Sequence, residues 1–410
     1  MNILIVSTSD IYGGAAVAAF RLMHALRSCG DNVTMIVRDK QSADDHVVPA
    51  GAKQLNRFYF YWERGNIFLQ NRFSKKNLFD ISIANTGHSI TGLPIFKEAD
   101  VVHLHWINQG MLSVDEVGKI LSSGKKVVWT MHDMWSFTGI CHHAGTCRNY
   151  LQSCGNCPYL VTKSPDDLSH RLFVKKQAAY KKGAITFVAC SNWLKELALK
   201  SPLTKGHRVV SIPNPINTEL YHPQDKSAVR KQLNLPEDRK IVLFAAVKAS
   251  DPRKGIDYLL EASRLITKHP NNIMYLIAGT HGEELAEKLN LPAHSMGFVP
   301  SDRMAEVYNA ADLFVTPSLQ ENLPNTLMEA MACGTPCVGF NIGGIPEMIS
   351  HKKNGYLVKY KDAEDLANGI LWTLYQADTE TLSANAREKV LQEYAQESIA
   401  MQYKDIYSRS

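Results

Sequence analysis

The chain has 410 residues, 45% of them hydrophobic and 21% charged, a balance typical of globular domains and not of disordered, collagenous or mucin-like chains. At about 150 residues per domain, this length predicts two or three domains. No apolar stretch approaches the roughly 18 to 20 residues that cross a bilayer, and the N-terminal MNILIVSTSDIYGG lacks the basic region of a signal peptide. Eight cysteines are too few for a disulfide scaffold, so the sequence indicates a cytoplasmic protein.

The net charge of +5 is distributed unevenly along the chain. Residues 1–213 carry 25 Lys/Arg against 15 Asp/Glu, a net charge of +10, whereas residues 214–410 carry 20 against 25, a net charge of −5. This asymmetry predicts that the two halves meet different partners, because a basic half attracts phosphate, anionic lipid or nucleic acid.

Short apolar runs alternate with amphipathic stretches through the first half. The first run spans residues 2–7 and precedes a helical pattern over 15–29. The other runs lie at 32–37, 100–105, 126–132, 184–191 and 208–213. Because these runs are continuous and not alternating, they predict strands buried on both faces of a parallel sheet that helices cover.

The second half repeats this pattern. Its apolar runs lie at 240–247, 273–279, 294–299, 312–318 and 336–340. Helical patterns occupy 255–269 and 379–410, and the proline-rich IPNPINTELYHP (212–223) separates the two halves. The sequence therefore predicts an α/β fold with an N-terminal domain over 1–213, a second domain over 214–382, and a final helix over 383–410.

The loop after the first predicted strand contains Gly13 and Gly14 and opens a helix. Glycines allow a backbone to approach a phosphate or sugar closely, although a plain tight turn explains them equally well. The loop lacks the G-x-G-x-x-G spacing of a dinucleotide site.

Residues 53–79 mix six Lys/Arg and one Glu with eight aromatic residues. Such mixing suits an anionic membrane surface or an anionic acceptor. The alternative is a helix pair that packs its aromatic side chains inward. Because five aromatic residues run continuously from 58 to 62, they cannot all face one side of a helix.

Histidines stand at the ends of two neighbouring predicted strands. His103 and His105 end one strand, and His132 ends the next, followed by Asp133. Ligands of a doubly wound sheet bind at the carboxyl ends of its strands. We interpret His103 as a core residue and His105 and Asp133 as candidate acceptor-binding residues.

Half of the cysteines fall within 17 residues, in the loop-like segment 138–158. Cys141, Cys147, Cys154 and Cys157 follow the spacing C-x5-C-x6-C-x2-C, and the C-x-x-C pair has ligand spacing. The hypothesis is a structural Zn²⁺ site. Two disulfides and four reduced thiols are the alternatives.

Two sets of charged residues mark the second half. Lys248, Arg253 and Lys254 follow a predicted strand and could neutralise a diphosphate, or they are solvated surface cations. Glu321 lies in the loop after a later strand and Glu329 inside the helix that follows, which Pro324 begins and Gly334 ends. Carboxylates near a helix N-terminus suit an anion with sugar hydroxyls, or are merely solvated charges.

Six segments in order resemble retaining glycosyltransferases of family 4, which have the GT-B fold, and among them the bacterial exopolysaccharide or colanic-acid type. They are IPNPINTELYHP, DPRKGIDYLLEA, NAADLFVTPSLQENLP, MEAMACGTPCV, GGIPEMI and NGYLV. The glutamates match the family's E-x7-E signature, but its usual Phe-Gly is replaced here by Asn322-Leu323.

The resemblance implies two Rossmann-like domains facing across a cleft, with the acceptor on the first, the nucleotide sugar on the second, and the final helix packed back on the first. It implies catalytic roles for His132, Lys254 and Glu321. Donor binding would fall to Gly13, Gly14, Lys248, Arg253, Lys254, Glu321, Asn322, Leu323, Asn325, Thr326 and Glu329.

The activity so implied is retaining transfer of a hexosyl group from a UDP- or GDP-linked sugar to a glycan or lipid-linked acceptor of cell-surface polysaccharide. No catalytic metal or other cofactor is expected, and structural zinc stays a hypothesis. We expect peripheral association with an anionic membrane and no nucleic-acid partner. The alternatives are a catalytically silent sugar-nucleotide or polysaccharide-binding protein and a nucleotide-sugar 2-epimerase of the same fold.

Overall fold

The computed structural model describes residues 1–269 and 272–409. The chain divides into two compact units. Unit 1 comprises Met1–Pro215 together with the C-terminal segment that starts at Ile399, and unit 2 comprises Ile216–Ser398.

Unit 1 is built on a seven-stranded sheet whose neighbouring strands all pair in parallel. Its strands are β1 (Asn2–Ser9), β2 (Asn32–Asp39), β3 (Val47–Pro49), β4 (Val101–Leu104), β5 (Lys126–Met131), β6 (Thr186–Ala189) and β7 (Arg208–Ser211). Its helices are α1 (Gly14–Ser28), α2 (Lys53–Gln70), α3 (Pro94–Glu98), α4 (Val114–Ser122), α5 (Leu168–Tyr180) and α6 (Asn192–Ala198). The spatial order is β3-β2-β1-β4-β5-β6-β7. The chain therefore winds outward from β1, then returns to the other side of β1 with β4, which makes the β1–β4 edge a switch point.

The central position of β1 explains its continuous apolar sequence. Ile3 lies opposite Val33 on one side and Val101 on the other, and each of the three is at most 2% exposed. Helices cover both faces of the strand, so every side chain of the run Ile3–Val6 lies in the hydrophobic core.

Unit 2 has a six-stranded sheet, again parallel at every pair, in the order β10-β9-β8-β11-β12-β13. Its strands are β8 (Lys240–Lys248), β9 (Ile273–Thr280), β10 (Ala293–Ser295), β11 (Leu313–Thr316), β12 (Cys337–Phe340) and β13 (Gly355–Val358). Its helices are α7 (Lys226–Gln232), α8 (Ile256–Ile266), α9 (Gly282–Ala286), α10 (Met304–Ala310), α11 (Asn325–Ala332), α12 (Ile345–Met348), α13 (Ala363–Tyr375) and α14 (Thr379–Glu393). The switch point here is the β8–β11 edge.

The last helix, α15 (Gln396–Arg409), packs on the sheet of unit 1. The apolar face that it buries consists of Ile399, Ala400, Tyr403, Ile406 and Tyr407. Lys404 adds an ion pair to Asp31, with Nζ to Oδ2 at 3.1 Å. The preceding helix α14 packs instead on α11 of unit 2, so the predicted helical stretch 379–410 is two helices that belong to different units.

Candidate active site

In unit 1, a cavity of about 600 Å³ opens at the carboxyl ends of β1, β2, β4 and β5, over the switch point. Its lining includes Gly13, Gly14, His132 and Asp133, which the sequence predicts as site residues. Arg38, Trp106, Gln109 and His143 also line it, and the sequence reasoning missed them. Trp106 and Gln109 follow the end of β4, and Arg38 lies near the end of β2, so position at a strand end was a usable signal for these three. His143 lies far along the loop after β5, where this signal does not apply.

The glycine loop brings the N-terminus of α1 to this cavity. Gly13 adopts a left-handed φ of 93°, and no side chain caps the helix that it precedes. The loop is tied down by Asp10, whose Oδ2 accepts from the Ser42 N–H at 2.8 Å and whose Oδ1 accepts from the Ile11 N–H at 3.0 Å. A helix N-terminus held in this way favours an anion in the cavity.

Arg38 supplies the cation of the same cavity. Its Nε donates to Asp39 Oδ2 at 2.9 Å, its Nη1 donates to the Gln109 carbonyl, and its guanidinium stacks over Phe60 at 5.4 Å. These contacts fix the direction of the guanidinium before any ligand binds.

His132 is half-buried and contacts the buried imidazole of His105. His105 Nδ1 lies 3.0 Å from His132 Nε2, and the other ring nitrogen of His132 lies 3.6 Å from Cys190 Sγ. Burial lowers the pKa of His132 to about 4, which Asp133 only partly offsets, and burial also lowers the pKa of His105 well below its usual value. Both imidazoles are therefore neutral at physiological pH, and His132 can exchange hydrogen bonds but cannot act as a cation.

His103 is a bonded core residue, as its sequence position suggests. Nδ1 lies 2.7 Å from the Tyr407 hydroxyl of α15, and Nε2 lies 2.8 Å from Thr130 Oγ1. Both nitrogens are thus satisfied away from the cavity.

Asp133 orients an indole and a second histidine. Its Oδ2 accepts from Trp106 Nε1 at 2.9 Å and from His142 Nδ1 at 2.6 Å, while Oδ1 accepts from the Trp135 N–H. Burial alone would raise the pKa of Asp133, but the hydrogen bond and charge of His142 hold it well below the usual range. The carboxylate stays ionised and is a weak proton acceptor, which favours a positioning role.

In unit 2, the structure brings together two predicted catalytic residues at the switch point. Lys254 closes a short 3-10 turn, Pro252–Lys254, after β8, and Glu321 lies in the loop after β11. The Lys254 ammonium donates to Glu321 Oε1, and the two side chains are 31% and 14% exposed. A cation and a carboxylate are thus presented side by side at the carboxyl ends of adjacent strands.

Two glycines explain why these loops can lie so close. Gly255 has a φ of 72°, and a Cβ there would come within 1.8 Å of the Pro317 carbonyl oxygen. On the other side, Gly343 has a φ of 60°, and a Cβ would come within 1.8 Å of the Glu321 carbonyl oxygen. Backbone hydrogen bonds also join these loops. Leu319 N donates to the Arg253 carbonyl, and Gly344 N donates to the Asn322 carbonyl.

Glu329 lies inside α11 and is 7% exposed. Its Oε2 accepts from the hydroxyl of Tyr308, at 2.8 Å, and Tyr308 is completely buried. The hydroxyl partner was not foreseen from the sequence, because Tyr308 comes from α10, which precedes β11.

The remaining predicted donor residues divide by exposure. Lys248 is exposed at the end of β8, and Arg253 is ion-paired to Asp251, with Nη2 to Oδ2 at 2.8 Å. Asn322 and Leu323 are buried, whereas Asn325 and Thr326 are half-buried in the first turn of α11. The helix begins at Asn325 with Pro324 as its N-cap, one residue later than the sequence predicts, and Gly334 follows its C-cap with a φ of 72°.

The four clustered cysteines line one small cavity of about 10 Å³ in unit 1. All eight cysteines of the chain are free thiols. Burial raises the pKa of Cys154 and of Cys157 to about 11, so both are neutral thiols in the absence of a cation. Within residues 1–269 and 272–409, no three His, Cys, Asp or Glu side chains are already arranged to hold a metal ion.

Solved structures of known enzymes share this two-unit architecture. Sucrose-phosphate synthase from Thermosynechococcus elongatus superposes with a TM-score of 0.68 at 21% identity, covering 99% of this chain and 98% of that one. HepE of Anabaena, in complex with UDP-glucose, superposes with a TM-score of 0.66 at 17% identity, covering 100% and 99%. The two parallel sheets and these likenesses define a GT-B fold, as the sequence predicts.

Sequence comparison gives the family. A model described as Glycosyltransferase Family 4 matches residues 12–220, and one described as Glycosyl transferases group 1 matches residues 225–389. An uncharacterized glycosyltransferase of Methanocaldococcus jannaschii is 28% identical over 362 residues, which cover 81% of this chain and 90% of that protein. The chain belongs to glycosyltransferase family 4, so the family resemblance found in the sequence is confirmed, and the exopolysaccharide or colanic-acid type stays a prediction. Glycosyltransferases of this group generally act without a metal ion.

Proposed function

We propose that the protein transfers a hexosyl group, with retention of configuration, from a nucleotide-diphosphate sugar to a glycan or lipid-linked acceptor in the synthesis of cell-surface polysaccharide. The observation that carries the proposal is the Lys254–Glu321 pair at the switch point of unit 2. A diphosphate needs a cation and a hexose needs acceptors for its hydroxyl protons, and this pair supplies both within one loop contact.

The reaction breaks the bond between the anomeric carbon and the diphosphate oxygen, and the electron pair leaves with the diphosphate. The acceptor oxygen forms the new bond to the anomeric carbon and passes its proton to the departing diphosphate oxygen. Negative charge grows on the leaving group as the bond breaks, and Lys254 is the group placed to stabilise it. Once the ammonium turns to the diphosphate, Glu321 is released to accept from sugar hydroxyls.

We assign the acceptor to the cavity of unit 1. A volume of about 600 Å³ suits a sugar-sized group, and its rim combines Arg38 with the neutral His132. A neutral imidazole favours hydrogen bonding to a sugar hydroxyl over charge stabilisation.

The test is product analysis with a panel of UDP- and GDP-sugars, preceded by thermal-shift measurements with UDP and GDP. UDP is the first choice because HepE is described with UDP-glucose. A bound nucleotide raises the melting temperature by mass action. Transfer to an acceptor supports the proposal. A C2-inverted nucleotide sugar would favour the epimerase, and binding without turnover on any donor or acceptor would favour the silent protein.

Lys254→Ala tests the mechanism within that assay. Stabilisation that grows as the phosphate leaves must appear in kcat, so turnover at saturating donor should fall by roughly 10² to 10³-fold. Lys231→Ala, which removes an exposed cation paired to Glu237, is the matched control and should leave kcat unchanged. A change confined to KM would reduce Lys254 to uniform binding of the diphosphate.

We further propose that α2 docks unit 1 on an anionic membrane. The helix presents an exposed apolar stripe at helical spacing, which consists of Leu55, Phe58, Trp62 and Leu69. Phe73, three residues after the end of the helix, is exposed as well, and the five side chains are between 39% and 67% exposed. The rings of Phe58 and Trp62 stack at 5.7 Å. Exposed cations flank the stripe at Arg57, Arg72, Lys75 and Lys76. An apolar stripe flanked by cations matches the interfacial region of an anionic bilayer. No helix among the described residues is long and apolar enough to span a bilayer.

The structure removes one residue from the basic set that the sequence suggests. Arg64 points inward, where it donates to the Ile81 carbonyl at 2.9 Å and pairs with Glu63 at 3.1 Å. Glu63 in turn accepts from the backbone of Ile83. Arg64 therefore belongs to the fold and should not be replaced in a test of docking.

Co-sedimentation with phosphatidylserine-containing vesicles at low and high salt tests the docking. Binding should be lost when Arg57, Arg72, Lys75 and Lys76 are changed together to Gln, and weakened by Phe58→Ser with Trp62→Ser. A control with the same charge loss changes the exposed Lys163, Lys181, Lys200 and Lys205. An equal loss of vesicle binding in this control would show that net charge, and not the surface of α2, causes the binding. If the wild type fails to bind vesicles at low salt, the docking proposal is wrong and the transferase proposal is unaffected.

A further inference from the structure

We propose that Cys141, Cys147, Cys154 and Cys157 bind one structural Zn²⁺ ion in the loop between β5 and α5. All four line the same cavity, although 15 residues separate the first from the last. Its volume of about 10 Å³ is that of a single water-sized sphere, too small for a substrate and suited to an ion.

Hydrogen-bond donors are directed at the sulfur atoms. The Gly139 N–H donates to Cys154 Sγ at 3.2 Å. The Tyr159 N–H contacts Cys157, two residues before it. The Ser169 hydroxyl lies near Cys157 as well but donates its proton to Asp167 Oδ1 at 2.6 Å. A neutral thiol is a weak acceptor, whereas a metal-bound thiolate gains from such donors, so the pattern fits ligation.

The backbone of the C-x-x-C turn has an unusual conformation. Cys154, Gly155 and Asn156 have φ values of 59°, 90° and 48°, three consecutive left-handed residues of which only one is glycine. Such conformations persist only where the surroundings impose them. A metal ion that holds both ends of the turn would impose this one.

A buried lysine lies beside the cluster. Lys176 is completely buried, and its Nζ donates to the carbonyls of Trp135 and Thr138. Thr138 is the neighbour of Gly139, which donates to Cys154 Sγ. Burial disfavours the charged form of Lys176, and Zn²⁺ with four thiolates, at a net charge of −2, would stabilise that form, whereas disulfides or neutral thiols would not.

Binding would bring the four sulfur atoms to about 2.3 Å from the ion, which requires their side chains to turn into the cavity. The ion would be closed off from substrate and would act on the fold. Its loop carries His142, whose Nδ1 bonds to Asp133 and whose Nε2 lies 3.0 Å from Ser82 Oγ. The site would therefore fix the loop that orients Asp133 in the cavity of unit 1.

The test measures zinc in protein expressed in zinc-supplemented medium and purified without chelator. We expect about one zinc per chain in the wild type and in Cys29→Ser, a control at a thiol outside the cluster. Cys154→Ser with Cys157→Ser should lower the zinc content to less than about a tenth of that value. Replacement by Co²⁺ should give the visible absorption of a tetrahedral thiolate site.

The wild type alone decides the proposal if the double variant fails to fold. Titration with a mercurial reagent should release zinc in step with modification of four thiols. Zinc below about a tenth per chain in the wild type would overturn the proposal. So would an intact mass lower by four hydrogens, since that mass would show two disulfides.

Discussion

At the scale of single residues, the histidines at the ends of β4 and β5 are uncharged hydrogen-bonding groups. His103 and His105 are buried and His132 is half-buried at the cavity, and in each case desolvation favours the neutral imidazole. His132 is held by His105 and Cys190, and His103 by Tyr407 and Thr130. Of the three, only His132 lines the cavity of unit 1, to which it brings a hydrogen-bonding group without adding positive charge to that of Arg38.

These shifts predict a loss of stability in acid. Folding lowers the pKa of His103 from 6.5 to about 3, because burial penalises the imidazolium, so below pH 6.5 the unfolded chain binds a proton that the folded chain does not. The free energy of unfolding should therefore fall as the pH falls, by about 2 kcal/mol for this residue between pH 6.5 and pH 5. In His103→Gln, the difference in unfolding free energy between pH 7 and pH 5 should shrink by about that amount.

Urea denaturation at the two pH values measures this difference. His294→Gln, which changes an exposed histidine, is the control and should keep the wild-type pH dependence. An identical pH dependence in His103→Gln and the wild type would contradict the assignment of His103 as a neutral buried group.

Glu329 allows a second test at the same scale. If its carboxylate accepts from donor hydroxyls, Glu329→Gln should weaken donor binding by roughly 10- to 150-fold, about 1.5 to 3 kcal/mol. Tyr308→Phe removes the hydroxyl that bonds Oε2 but leaves the charge in place. Isothermal titration with the nucleotide sugar should therefore show a much smaller change in Tyr308→Phe. Equal effects of the two changes would assign Glu329 to the packing of α10 on α11.

At the scale of elements, the site of unit 2 depends on loops that touch through glycine. The turn after β8, the loop after β11 and the loop after β12 meet at Gly255 and Gly343, and each glycine faces a carbonyl oxygen. The Lys254–Glu321 pair is a consequence of this contact between backbones, since it sets the distance between the two strand ends.

Gly255→Ala should break this contact. The added Cβ would meet the Pro317 carbonyl oxygen, so the loops must separate, and we expect a loss of at least about 3 kcal/mol in stability together with most of the donor affinity. Gly124→Ala is the matched control. Its φ of 76° is similarly left-handed, but nothing lies within 4 Å of the added atom, and the strain alone should cost about 1 kcal/mol. Thermal denaturation and nucleotide titration of both variants would check this, and equal losses would show that conformation and not contact matters at Gly255.

Most strands could be predicted from the sequence, because a strand buried on both faces needs a continuous apolar run. The runs at 2–7 and 240–247 become β1 and β8 with little change. β3 and β13 were not predicted as strands, because each holds an apolar run of only two or three residues, 47–48 and 356–358, with polar residues, Pro or Gly on either side. The predicted run 294–299 yields only β10, because the chain turns at Gly297 with a φ of 64°.

Site residues could be predicted from the sequence where they follow the end of a strand. They could not be predicted where the packing of the fold determines which partner a side chain contacts. Lys254 and Glu321 could be named from their motifs, but the hydrogen bond that joins them depends on how two loops pack. Arg64 looks like a surface cation in the sequence, yet its pairing with Glu63 turns it inward. Tyr308 carries no motif, so nothing in the sequence links it to Glu329.

At the scale of the whole molecule, two successive helices serve different units. Val390 of α14 is buried in unit 2, whereas Ile399 of α15 is buried against the sheet of unit 1, although only eight residues separate them. Ile399→Ala should therefore destabilise unit 1, by about 2 to 5 kcal/mol, and Val390→Ala should act on unit 2. Hydrogen exchange followed by mass spectrometry distinguishes them, because peptides of β1 and β5 should lose protection in the first variant and peptides of β11 in the second. Loss of protection throughout both units in either variant would contradict this division.

The position of α15 also sets the order in which a growing chain can mature. Residues 216–398 are synthesised between the body of unit 1 and the helix that covers its sheet. At about 5 to 20 residues per second, that interval lasts about 10 to 40 s. During it, the face of β1 and β5 that later receives Tyr403 and Tyr407 has no cover from its own chain. Unit 2 receives its last strand, β13, before α15 is made. The residues of the second unit are therefore all synthesised before those that complete the first, and the nascent first unit presents an apolar sheet face to chaperones in the meantime.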